Sequence, residues 1–179
     1  MASLMGSVER FISVGAPDAW ALLLGEVLRA AKDEAGPGLL MLMDRITAQR
    51  PDADALRAVA DRAIIFGEKS VAVPDNVVQV PQMPDGMADE QFLVLVSPRL
   101  AVALTTQLSR GTSPGAPYGA WTLSRQDAIA FGERLLKEAG LVGVEVPEPS
   151  RADLDSFSAV ANQLMGVYAE LVSTSRNVV

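Results

Sequence analysis

Side-chain chemistry near neutral pH usually starts from histidine or cysteine, and this 179-residue chain contains neither. Imidazole is the common general base at pH 7 and the commonest metal ligand, while thiolate is the side chain's readiest nucleophile. Their absence removes most hydrolase, redox and metalloenzyme templates, together with any thiol attachment of a bilin. What remains is carboxylate. Asp44, Glu68, Asp75, Asp85, Asp89 and Glu90 fall in or near expected loops and strand ends. Clustered in a cleft they would support a carboxylate-only mechanism or a magnesium site; dispersed, they are solvated surface charge, the reading adopted here. The chain is therefore expected to be no enzyme and to carry no cofactor and no metal, with a carboxylate and divalent-ion enzyme as the remote alternative.

Other residue types suit recognition. Trp121 carries an indole N–H that needs a partner when buried, and beside Gly119 it could line a pocket or simply fill the core. Phe66-Gly67 ends an apolar run with a backbone free to approach another group, or merely to turn. Arg99, expected in the first turn of a helix, sits unfavourably near the positive end of the dipole and would be held by an acidic neighbour or used on an anion. Met41, Met43, Met83 and Met87 are adaptable contacts, with core filling the default for the first two.

Net charge is −7, and the fifteen Lys and Arg residues are scattered without aromatic interleaving, so nucleic acid and anionic lipid are not expected as partners. The most apolar stretch, Ala19 to Leu28, includes Glu26 and falls far short of the roughly 20 apolar residues a membrane span needs. Residues 1–15 carry Glu9 and lack the basic start and apolar core of a signal peptide. A cytoplasmic protein is expected. A chain of this length buries about 70% of its unfolded surface, enough to fold without disulfides.

These residues must be positioned by elements that the pattern marks out. Residues 1–16 are read as a partly ordered segment in which Val8, Phe11 and Ile12 could form a short helix. From Pro17 to about Glu34, Trp20, Leu23, Leu24, Val27, Leu28 and Ala31 recur at helical spacing, ended by Gly36-Pro37-Gly38. Leu39 to Met43 could be a strand or a helical turn. Pro51 and Asp52 open a helix to about Arg62, feeding a strand over Ala63 to Phe66. The long connection from Glu68 to Gln91 holds Pro74, Pro81, Pro84 and Gly86 around a short edge strand at Val77 to Val80. Phe92 to Val96 is a strand. Ser97-Pro98 then reads as a cap and first helical residue, predicting a helix through Leu100, Val102, Leu104 and Leu108 to about Ser109. Tyr118 to Leu123 forms a further strand; Ser124 caps a helix with Asp127 at its third position and Ala128, Ile129, Phe131, Leu135 and Leu136 as its buried stripe.

Three stretches in this order resemble the DICT family, a sensory domain found with diguanylate cyclases, two-component proteins and transcription regulators. Ala60 to Glu68 is similar to the family's strand ending in Phe-Gly, Glu90 to Val94 to its central Glu-Trp-Phe strand, and Tyr118 to Thr122 to its aromatic-Gly-x-Trp-Thr signature. The likeness spans about residues 38–137; Gln91 stands where the family has tryptophan. It implies a strand at Leu39 to Met43, an α/β (α+β) fold with one small mixed sheet of four to five strands flanked by helices, and a sensory domain over residues 17–146. It further implies a non-catalytic regulatory module of bacterial-type signal transduction that recognises a small-molecule ligand or a signalling protein. Phe66, Gly67, Glu68, Phe92, Arg99, Tyr118 and Trp121 are the candidate binding residues.

Residues 147–179 are expected to form a long C-terminal helix, capped by Ser150 and running from Arg151 to about Ser173. Leu154, Phe157, Ala161, Leu164, Tyr168 and Leu171 alternate by three and four, the spacing of a coiled-coil seam. Two readings stay open: packing on its own domain, or pairing as a homodimer helix. In the second, the chain could be a structural interaction or adaptor protein.

Overall fold

Runs of apolar residues too short for helices and rich in branched side chains build the centre of this protein. In the computed structural model, which describes residues 12–14, 18–33, 38–43, 60–67, 75–81, 90–107, 119–148, 162–166 and 169–170, they become strands, of which those over 39–43 and 90–96 are buried on both faces. The strands are β1 (Ile12–Val14), β2 (Leu39–Met43), β3 (Arg62–Phe66), β4 (Val77–Val80), β5 (Glu90–Val96), β6 (Ala101–Gln107) and β7 (Gly119–Thr122). They form one mixed sheet in the order β1-β7-β6-β5-β2-β3-β4. β2, β3 and β4 are parallel; β5, β6, β7 and β1 alternate in sense.

Two helices cover opposite faces. Helix α1 (Asp18–Asp33) lays Leu23, Leu24, Val27, Ala30 and Ala31 on a core that includes Leu40, Leu42, Leu93, Leu95, Val102, Leu104 and Trp121. Helix α2 (Arg125–Glu138) lays Ala128, Phe131, Leu135 and Leu136 on the other face, against Met41, Met43, Phe92, Val94, Ala101 and Ala103. The strands alternate perfectly between the two cores, as period-2 geometry demands. Small residues decide how close α2 comes. Ala101, Ala103, Ala128 and Gly132 leave the backbones near one another, and a Cβ on Gly132 would stand 2.6 Å from the Met41 methyl.

The mixed α+β class and the strands at Leu39–Met43, Val77–Val80 and Phe66 are as expected, and Val77–Val80 is the outermost strand. Ser124 does cap α2, accepting from the Asp127 N–H at 3.3 Å. The expectation of four to five strands is too low, since the described residues alone form seven, and β1 and β6 are the additions.

β6 stands where a helix is expected, and β1 in the segment expected to be partly ordered, where a short helix could form. At β6 the cap signal is real: Ser97 Oγ accepts from the Leu100 N–H at 3.0 Å, the bond a helix cap would make. Here it closes a four-residue hairpin turn, with Ser97 N–H donating to the Leu100 carbonyl at 2.7 Å and Val96 paired with Ala101. Leu100, Val102 and Leu104 are spaced by two, the period of a strand, and pairing with β5 and β7 on both sides decides the outcome. At β1, Ile12 and Val14 are β-branched and pair with Trp121 and Gly119 of β7; Val8 and Phe11 lie outside the described residues. The expected helix from Pro51 to Arg62 also lies largely outside them, and Arg62 itself opens β3.

Of the expected C-terminal helix, residues 162–166 and 169–170 are described, and they are helical. Leu164 is fully buried in the core shared with α1, while Asn162, Gln163, Met165, Ala169 and Glu170 face outward. Leu154, Phe157, Ala161, Tyr168 and Leu171 lie outside the described residues.

Candidate functional site

Because β2, β3 and β4 run parallel, their carboxyl ends gather at one end of the sheet, where β5 begins, β6 ends and β7 begins. Four of the buried polar residues lie at that end, while Thr122 is buried at the other end of β7. Glu90, Gln91, Thr105 and Thr106 are all at least 97% buried, in strands that are apolar over 92–96 and 101–104. Registers fix their order: Gln91 opposite Thr106, Thr106 opposite Gly119, Phe92 opposite Thr105, and Thr105 opposite Ala120. Thr105 Oγ1 donates to the Gln91 carbonyl at 3.3 Å, tying the two strands by a side chain as well as by the ladder. Alternation puts Gln91 and Thr106 on the α1 face with Trp121, and Glu90 and Thr105 on the α2 face with Phe92.

On the α2 face an aromatic chain borders this end. Phe66 and Phe92 meet edge to face with centroids 5.2 Å apart, and Phe92 meets Phe131 of α2 the same way at 6.4 Å. Such pairs add about 0.5–1.5 kcal/mol beyond the area they bury, so the three rings act as a rigid wall. Gly67 follows with φ +119°, a backbone state closed to most side chains, and donates its N–H to the Val80 carbonyl at 3.0 Å.

The structure thus brings Phe66, Gly67 and Phe92 together and adds Glu90, Gln91, Thr105 and Thr106. Trp121 lies on the opposite face of the sheet from Phe92, 1% exposed among Leu95, Val102 and Leu104 of the α1 core. Space beside Gly119 is taken: a Cβ there would come within 2.9 Å of the Thr105 carbonyl oxygen and 3.1 Å of the Thr106 Cβ. That glycine permits close strand approach.

Arg99 is exposed on the β5–β6 turn at the far end of the sheet and does not stand in the first turn of a helix. The guanidinium that works there belongs to Arg125, which donates to the Ser97 and Pro98 carbonyls at 2.6 and 2.9 Å. Glu68 and Tyr118 lie outside the described residues. The sequence signal for the buried polar set is the run Thr105-Thr106-Gln107 after an apolar stretch, which a helix over residues 98–109 hides.

As for carboxylates, Asp75 is exposed in a turn and Glu90 is buried, while Asp44, Glu68, Asp85 and Asp89 lie outside the described residues. Among the described residues no group of three acidic side chains is placed to hold a metal ion, and no helix is long and apolar enough to cross a membrane. Set against known proteins, the chain matches no family model, no curated protein and no solved structure.

Proposed function

We propose that this protein is a non-catalytic regulatory module that recognises a ligand or a signalling partner, with recognition centred where β2, β3 and β4 end. The observation that carries the reading is the set Glu90, Gln91, Thr105 and Thr106, buried at one end of two central strands, with Glu90 and Thr105 on the face of the Phe66–Phe92–Phe131 wall and Gln91 and Thr106 on the opposite face. A few fixed polar groups in an apolar frame are what orient a small ligand. By analogy with open α/β sheets, ligands tend to sit outside the carboxyl ends of parallel strands. Neither imidazole nor thiol is available in the chain for acid–base or nucleophilic work. The resemblance to DICT domains points the same way, toward sensing in bacterial-type signal transduction.

Thermal shift and native mass spectrometry of the purified chain, across a panel of metabolites and nucleotides, test the proposal. A true ligand at about 100 times its Kd stabilises by about 2.7 kcal/mol, a rise in Tm of several degrees. That rise should vanish in Thr106→Val and Glu90→Gln variants that still fold. No shift, no bound mass and no specific protein partner would refute it, as would turnover abolished by single Asp or Glu substitutions.

A further inference from the structure

We draw no further inference here: the strongest candidate, the outer edge of the sheet at β4, where half-buried Val77–Val80 would offer backbone groups to an added strand, carries nothing because nothing in the structure shows what covers it.

Discussion

Where β5 turns into β6, the sheet is finished by bonds to backbone: Ser97 with Leu100, and Arg125 reaching from α2 to the Ser97 and Pro98 carbonyls. At the opposite end β5 starts with Glu90 and Gln91 and β6 runs out through Thr105 and Thr106, so four polar side chains are sunk into adjacent strands, against Thr122 alone in the strands toward the hairpin end. The first arrangement is a clasp, since it satisfies turn carbonyls and locks α2 to the hairpin. The second is costly to build, because a buried polar group must find partners or forfeit about 1–3 kcal/mol. A fold needing only stability would place valine or leucine at those positions, as it does at Leu93, Val94 and Leu104. The contrast makes the polar end the place to look for recognition and the hairpin end a structural control.

The sharpest way to break this contrast is Phe92→Ala, which removes the ring linking Phe66 to Phe131. Loss of a buried phenylalanine costs about 3–5 kcal/mol, so urea unfolding should show the largest fall here, and ligand-induced stabilisation should go with it. Arg125→Ala should follow at about 1.5–3 kcal/mol, for two charge-assisted hydrogen bonds at the clasp. Its signature is lower stability with ligand response unchanged. An Arg125 variant that lost the response while folded would mean that the two ends are not separable.

Two glycines sharpen the picture through packing. Gly119→Ala drives a Cβ against the fixed Thr105 carbonyl and should cost about 1–3 kcal/mol in thermal unfolding. Gly132→Ala crowds the movable tip of Met41, touches Val94 Cγ1 at 3.4 Å and gains helix propensity of about 1 kcal/mol, so its net change should be small. Thr105→Val should produce the smallest loss of the polar-end changes, about 0.5–1.5 kcal/mol, since it keeps the shape and drops the bond to Gln91. If recognition uses this end, that variant should show reduced ligand stabilisation out of proportion to its fall in Tm.

Much of the scaffold was legible because its signals are local. Helix α1 follows from the recurrence of Leu23, Leu24, Val27 and Ala31, and α2 from Ser124, Asp127 and the stripe Ala128, Phe131 and Leu135. Leu39–Met43 was ambiguous, as a strand buried on both faces has no polar alternation to display. Residues 101–107 look helical for the same reason, with a Ser-Pro start that serves a hairpin turn and a helix cap equally well. Of the site, Phe66, Gly67 and Phe92 were legible as a strand terminus and aromatics; Thr105 and Thr106 were not, because their meaning depends on neighbours from β5 and β7.

By itself, then, the sequence determined which chemistry is unavailable, through the lack of histidine and cysteine, and where helices with strong caps and stripes begin. Tertiary structure alone decided that residues 101–107 are a strand, that Trp121 and Phe92 lie on opposite faces, and that Leu164 belongs to the α1 core. The physical reason is range: caps and helical stripes act within a few residues, whereas pairing in a mixed sheet joins β1 to β7 and β5 to β2 across most of the chain.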